Sequence, residues 1–362
     1  MKYSRFHADF KLNNNSFSTS NEIVAYAATL SEVIAHFLND WFSTNDFIEV
    51  QTSGSTGNPK IIQLKKEFVK NSAQATGLFF NLQEKTLALL CMPINYIAGK
   101  MMLVRALELG WHIDIVEPAL NPLKGIEKAY DFSAMVPLQL ENSLAEIHKI
   151  KKLIVGGGVV SNELEKKLQV VSTEVFATFG MTETITHIAA KKINSKCHSK
   201  RSEEAYRTLP NVAISNDDRS CLVIHAPKVS VKEIVTNDVV EIVSENAFKW
   251  LGRYDNVINS GGIKLHPESI EKKLSNIIVE RFFVAGIPDK NLGEKLILII
   301  ENDTATSSEE ASVIKEIKKK LQEIDSLTKY EVPKQIYITK KFVETATKKI
   351  HRKNTLELLQ FN

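Results

Sequence analysis

The loop Thr52-Ser53-Gly54-Ser55-Thr56-Gly57-Asn58-Pro59-Lys60 follows the apolar run Phe47-Ile48-Glu49-Val50 and is rich in residues that hold an anion. Glycines take positive φ and turn several N–H groups toward one ligand, hydroxyls add donors, and Lys60 adds a compact positive charge. The loop therefore reads as a phosphate cradle. It is not a Walker loop: that motif needs Gly-Lys-Ser/Thr, whereas here Pro59 precedes Lys60 and Ile61 follows it.

Further segments carry groups that could act on the same ligand. Gly156-Gly157-Gly158 follows the apolar Leu153-Ile154-Val155, so bare backbone at a strand end could lie against a flat ring, although an ordinary tight turn has the same composition. Phe179-Gly180-Met181-Thr182-Glu183 supplies a stacking face, space, a hydroxyl donor and a hard oxygen ligand suited to Mg2+, with Glu183 as a helix cap being the alternative. In Thr236-Asn237-Asp238 a carboxylate at a strand-edge turn can accept ribose hydroxyls, and Arg253 further on can reach the same sugar or its phosphate. Gly261-Gly262 makes a loop of close backbone approach, before Pro267, Glu268 and Glu271 open a helix. Lys348 and Lys349, in Thr345-Ala346-Thr347-Lys348-Lys349-Ile350, read as surface charge when taken alone.

The elements that must position these groups follow from hydrophobic periodicity. Helical patterns over 22–42 and 65–80 alternate with short apolar runs over 86–90 and 152–155, which predicts α/β layers with buried, largely parallel strands. From 221 to 259 closely spaced strand patterns predict an antiparallel subdomain. Beyond Pro267 the order helix (269–275), strand (281–287), strand (294–300), helix (309–324), strand (335–339), helix (349–360) predicts a compact α+β unit. The expected class is α/β: a large N-terminal domain over 1–253 with a small antiparallel subdomain, then a small C-terminal domain over 254–362. The polar stretch 194–207 reads as an exposed loop.

Composition sets bounds on partners. The 362 residues carry 46 basic and 43 acidic side chains, a net charge of +3, too near balance for a nucleic-acid surface. Cys91, Cys197 and Cys221 are few and widely spaced, which fits a reduced, cytoplasmic protein without a Cys/His metal cluster. No run of eighteen apolar residues occurs, so no membrane insertion is expected.

Taken together and in this order, the segments resemble the adenylate-forming superfamily of acyl-CoA synthetases, adenylation domains and luciferases. Its phosphate loop matches residues 52–60, its Tyr/Phe-Gly-Met-Thr-Glu motif 179–183, and its Thr-Gly-Asp 236–238 with Asn237 in place of glycine. Its Gly-Arg-X-Asp hinge and glycine loop match 252–262, its Tyr-X-Val-Pro segment Tyr330 to Pro333, and its terminal lysine motif 345–350, with Lys348 where a glycine usually stands. Family members usually carry a longer region before the phosphate loop. Short forms occur among o-succinylbenzoate-CoA ligases of menaquinone synthesis, and Cys91 to Met102 is similar to their Pro-Leu-X-His-X-X-Gly segment, with Tyr96 where the histidine often stands.

The resemblance implies ATP, Mg2+ and coenzyme A as cofactor and co-substrates, with a small-molecule carboxylic acid as the activated substrate. Loop 52–60 would hold the β- and γ-phosphates, Glu183 the Mg2+, Thr182 the α-phosphate, Phe179, Gly180 and Gly156 to Gly158 the adenine, and Asp238 with Arg253 the ribose. Lys349 would bridge the attacking carboxylate and the α-phosphate, Asp255 would be the hinge, and Gly261-Gly262 would serve the thiol half-reaction. A second carboxylate on the acid needs a cation or donors, and Tyr96, Lys100, Arg105, Thr186 and His187 are the candidates by position. A CoA ligase for another aryl or short-chain acid, a carrier-loading adenylation enzyme and a catalytically silent nucleotide binder are the alternatives. The oligomeric state is open, a homodimer included.

Overall fold

In the computed structural model, which describes residues 6–51, 61–194, 205–303, 307–344 and 350–359, the chain opens with a short hairpin, β1 (Lys11–Leu12) and β2 (Asn15–Ser16). Two helices follow where the periodicity predicts one: α1 (Ser20–Leu30) and α2 (Glu32–Phe42). The helical run breaks at Ser31, whose extended backbone makes it the first cap of α2, a position serine favours. Thr19 caps α1 by accepting the Glu22 N–H at 3.3 Å. Next, β3 (Phe47–Gln51) and β4 (Ile61–Lys65) pair antiparallel with Gln51 opposite Ile61, so the residues flanking 52–60 face one another. Residues 52–60 themselves lie outside the described residues.

Helices α3 (Lys66–Phe80), α4 (Ile97–Leu109), α5 (Pro137–Asn142) and α6 (Asn162–Leu168) then alternate with β5 (Leu87–Leu90), β6 (His112–Ile115), β7 (Tyr130–Met135), β8 (Ile150–Val155) and β9 (Glu174–Gly180). These five strands are parallel, in the order β9-β8-β7-β5-β6. The apolar sequence of β5, Leu87 to Leu90, reflects burial on both faces. On one face Leu89, Leu153, Val155, Val175 and Ala177 pack with Leu140 of α5 and Leu164 and Leu168 of α6. On the other, Phe80 of α3 packs edge-on against Phe176, and Trp111 packs edge-on against Phe132.

At β9 the sheet changes character. β10 (His187–Lys192) returns antiparallel to β9, and β11 (Tyr206–Thr208) lies antiparallel to β10. Tyr206 and Arg207, expected in an exposed loop, are strand residues because their backbone pairs with Ala247 and Phe248. With β12 (Ala213–Asn216), β13 (Cys221–His225), β14 (Ile234–Ser244) and β15 (Ala247–Arg253) the sheet order is β12-β13-β14-β15-β11-β10-β9-β8-β7-β5-β6-β1-β2.

The chain divides into two compact units. The first spans Met1–Ser215, Val223–Val235 and Ile242–Lys249; the second spans Asn216–Leu222, Thr236–Glu241 and Trp250–Asn362. In the second, β16 (Ile258–Ser260) and β17 (Ile263–Leu265) form a hairpin whose two-residue turn is Gly261-Gly262, at φ of 58° and 81°. Positive φ at both turn residues matches the right-handed strand twist and explains the glycine pair. α7 (Pro267–Leu274), the hairpin β18 (Phe282–Asp289) and β19 (Gly293–Glu301), α8 (Ser307–Gln322), β20 (Gln335–Thr339) parallel to β19, and α9 (Arg352–Glu357) complete it. Alternate residues of β19 feed two clusters: Leu296, Leu298 and Ile300 pack with α7 and α8, while Ile297 and Ile299 pack with Phe283 and Phe342. The terminal helix is shorter than the predicted 349–360. Among the described residues no helix is long and apolar enough to cross a membrane.

Candidate active site

From β5 the chain crosses to β6 on one side and later to β7 on the other, so the order reverses between β5 and β7. Crevices at the carboxyl ends of strands beside such a reversal are where open α/β sheets bind ligands. Met135, Val155 and Ala177 stand in register there, so the segments that follow, including Gly156 to Gly158 and Phe179 to Glu183, emerge side by side.

Gly180 has a specific packing reason. A Cβ at this position would lie 2.3 Å from the Thr186 carbonyl oxygen and 2.4 Å from the His187 Cα, because the returning chain crosses directly over it. That return is made at Ile185, a β-branched residue at φ 66° and ψ −60°, with the Thr186 N–H donating to the Thr184 carbonyl at 2.7 Å. This is a γ-turn of the rare strained kind. The Thr184 hydroxyl, fully buried, accepts the Met181 N–H at 3.0 Å, so the Thr182-Glu183 segment is held on both sides. Glu183 itself is exposed and makes no ion pair among the described residues. An exposed carboxylate on a rigid turn suits a hard cation that keeps part of its water shell, as Mg2+ does. The Phe179 ring is held edge-on by Tyr206 and Phe248, at centroid distances of 5.9 and 5.1 Å.

The candidates for recognising an acid separate. Arg105 of α4 is 1% exposed, and among the described residues its Nε and Nη2 find no partner and its hydrogen bond runs from Nη1 to the Met102 sulfur at 3.7 Å. Burial brings the guanidinium pKa down to about 9, which leaves it charged at neutral pH. His187 is also buried, its Nε2 is unpartnered, and burial together with the Arg105 charge holds its pKa well below the usual 6.5, so the ring is neutral. The Thr186 hydroxyl lies 3.4 Å from the His187 Nδ1. His187 and Thr184 line a cavity of about 130 Å³ together with Ser72, Ala75 and Leu209. Lys100 is engaged elsewhere: its ammonium donates to the Glu49 carbonyl at 3.2 Å and sits 5.1 Å over the Phe37 ring. Tyr96 is 53% exposed at the start of α4.

In the second unit a polar network surrounds Asp238. Thr236 to Asp238 lie inside the eleven-residue β14, not at the strand-edge turn expected from their polarity. The strand tolerates them because every polar group has a partner. The Thr236 hydroxyl donates to the Leu222 carbonyl at 2.8 Å and accepts the Asp238 N–H at 3.0 Å. Arg219 donates to the Asn237 Oδ1 at 2.9 Å and to the Thr236 carbonyl at 3.1 Å. Trp250 Nε1 donates to Asp238 Oδ1 at 2.9 Å, and Arg253 lies 3.8 Å from Asp238 Oδ2 and 3.0 Å from Asp255. Burial raises the Asp238 carboxyl pKa, while the Trp250 and Arg253 contacts oppose the rise and Glu268 and Asp255 add to it. Gly261 and Gly262 are exposed at the tip of their hairpin.

Lys348 and Lys349 lie outside the described residues, as does the whole of 52–60. Next to the terminal motif, Arg352 donates to the Glu271 carboxylate at 2.8 Å and to the Val284 carbonyl at 3.1 Å. Neither this pair nor Trp250 stood out in the sequence, because their partners are remote along the chain and carry no spacing signal. Cys91 is a core thiol whose pKa burial pushes up to about 12.

The model of the AMP-binding enzyme family matches residues 27–223. The 2-succinylbenzoate–CoA ligase of Listeria monocytogenes serovar 1/2a is 25% identical over 346 residues, covering 88% of this chain and 72% of that protein. Its namesake from Bacillus cereus ATCC 10987 is 24% identical, covering 86% and 70%. Among solved structures, an acyl-CoA synthetase (AMP-forming)/AMP-acid ligase II-like protein from Dyadobacter fermentans is 36% identical with a TM-score of 0.59, over 90% of this chain and 94% of that one. The Bacillus subtilis o-succinylbenzoate CoA synthetase, in complex with the acyl-adenylate intermediate, shares the fold at a TM-score of 0.70 and 20% identity, over 86% and 69%.

Proposed function

This chain belongs to the AMP-binding enzyme family, and from that premise we propose that it is an AMP-forming acid–coenzyme A ligase whose acid is o-succinylbenzoate. In the first half-reaction a carboxylate oxygen of the acid attacks the α-phosphorus of ATP and pyrophosphate leaves. In the second the sulfur of coenzyme A attacks the acyl carbon and AMP leaves. Such chemistry rests on positioning and charge neutralisation more than on covalent help from the protein.

The roles follow the motifs. Loop 52–60 would hold the departing phosphates, Thr182 the α-phosphate, and Phe179 with Gly156 to Gly158 and Gly180 the adenine. Asp238 and Arg253 would hold the ribose, Lys349 would meet the charge that gathers on the α-phosphate, Asp255 would serve as the hinge, and Gly261-Gly262 would serve the thiol step. Glu183 would hold Mg2+, which when bound neutralises phosphate charge. ATP and coenzyme A as co-substrates fit the cytoplasm.

The observation that supports a dicarboxylic acid is Arg105. An unpaired guanidinium in a dry interior is strongly unfavourable, and proteins pair such charges or reserve them for a ligand. The nearby neutral His187 and the Thr186 hydroxyl add hydrogen-bonding groups without adding charge. The carboxylate not being activated would complete this set, leaving the other at the α-phosphate. Lys100, committed to Glu49, falls out of the proposed acid set.

The test is pyrophosphate release across a panel of carboxylic acids, with o-succinylbenzoate beside its mono-carboxylate analogues. The expected result is turnover with the diacid and weak turnover when the succinyl carboxylate is removed. Good turnover with a monocarboxylate and none with o-succinylbenzoate would overturn the substrate assignment.

A further inference from the structure

Asp238 is placed by its backbone and aimed by its side-chain partners. Its N–H is tied to Thr236 Oγ1, which is in turn tied to the Leu222 carbonyl, so the strand position is fixed. The torsions of the side chain are a separate matter. A carboxylate can turn its two oxygens among several directions, and a ribose hydroxyl needs one of them presented in a single direction.

We propose that Trp250 is a positioning residue for nucleotide recognition: its indole N–H occupies Asp238 Oδ1 at 2.9 Å and thereby presents Oδ2 to the ribose hydroxyls. The proposal rests on the reading of Asp238 as the ribose acceptor. The indole is suited to the task. It is donor-only, so the contact has one polarity, and its rigid bicycle fixes the direction of the N–H with two torsions. It also gives a buried carboxylate a neutral partner, leaving Arg253, 3.8 Å from Oδ2, free to divide its hydrogen bonds between Asp255 and a ligand. The charged groups acting on Asp238 are Arg253, Glu268 and Asp255; without the indole N–H, Arg253 alone of these contacts favours the ionised form, against burial and the two carboxylates.

The experiment compares steady-state kinetics of the wild-type enzyme with Trp250→Phe and Asp238→Ala, using ATP, 2′-deoxyATP and 3′-deoxyATP. Trp250→Phe should raise KM for ATP about tenfold, the loss expected for a hydrogen bond to a charged group, and leave kcat within about twofold. Its discrimination between ATP and the deoxynucleotides should shrink toward that of Asp238→Ala. A structural role alone would raise all three KM values in proportion, and that result, or no change, would overturn the proposal. If Asp238→Ala leaves KM for ATP and the discrimination untouched, the ribose assignment itself fails. Should Trp250→Phe fold poorly, 3-benzothienylalanine at position 250 keeps the bicycle without the N–H; wild-type discrimination in that protein would overturn the proposal, and reduced discrimination would support it.

Discussion

Asp238 and Arg105 are both buried charges, and the fold treats them differently. Around the Asp238 carboxylate the second unit supplies Trp250 and Arg253, and elsewhere in that unit the Arg352–Glu271 pair is closed in the same way. Around Arg105 the first unit supplies a sulfur contact and a neutral imidazole, and two guanidinium nitrogens have no partner among the described residues. Partnered charges stabilise a geometry before any ligand arrives. An unpartnered one weakens the free protein and strengthens binding of the ligand that pairs with it. The first arrangement fits a group that must be correctly aimed for every substrate, and the second fits a group that selects among substrates.

That difference is open to mutation. The largest effect should come from Arg105→Met. The kcat/KM for o-succinylbenzoate should fall by on the order of 10²–10³, the loss of a buried ion pair, while thermal stability holds or rises because an uncompensated charge has gone. A drop in melting temperature with unchanged acid specificity would reverse the comparison. Arg352→Met should do the opposite: stability should fall by about 2–4 kcal/mol, since Glu271 would be left buried without its cation, as measured by denaturant unfolding. Equal stability losses for the two variants would erase the distinction.

A smaller effect concerns pH. His187 has a folded pKa below 6.5, so the unfolded chain binds a proton that the folded one refuses. Its neutral contribution is fully present above 6.5 and is lost as pH falls from there toward the folded value, at up to about 1.4 kcal/mol per pH unit. Unfolding curves at neutral pH and at two values below 6.5 should show a shallower loss for His187→Gln than for the wild type. Identical slopes would mean that the imidazole is protonated in the native state.

What could be read from the sequence divides along the same line. Gly180 and the Gly261-Gly262 turn act through local backbone geometry, and their residue type carries it. The carboxyl end of β8 is visible for the same reason, as an apolar run ending in glycine. The break at Ser31 carries no signal in the periodicity, because the apolar period continues across it. Asp238 looked like a turn residue because Thr-Asn-Asp is turn-like in composition, and only Arg219 and Trp250, brought in by tertiary packing, let a strand pass through it. The sequence could nominate Arg105 as a cation near the acid, but its lack of partners is a property of the folded interior alone.

A two-step reaction through an acyl-adenylate is open to single-turnover mass detection. With ATP, Mg2+ and o-succinylbenzoate but no coenzyme A, the wild-type enzyme should accumulate the acyl-adenylate, and added coenzyme A should convert it to the thioester with release of AMP. Lys349→Ala should slow formation of the adenylate by on the order of 10²–10³, yet convert supplied adenylate to thioester at near the wild-type rate. No adenylate from the wild-type enzyme would overturn the two-step reaction, and equal loss of both steps in the variant would overturn the role of Lys349.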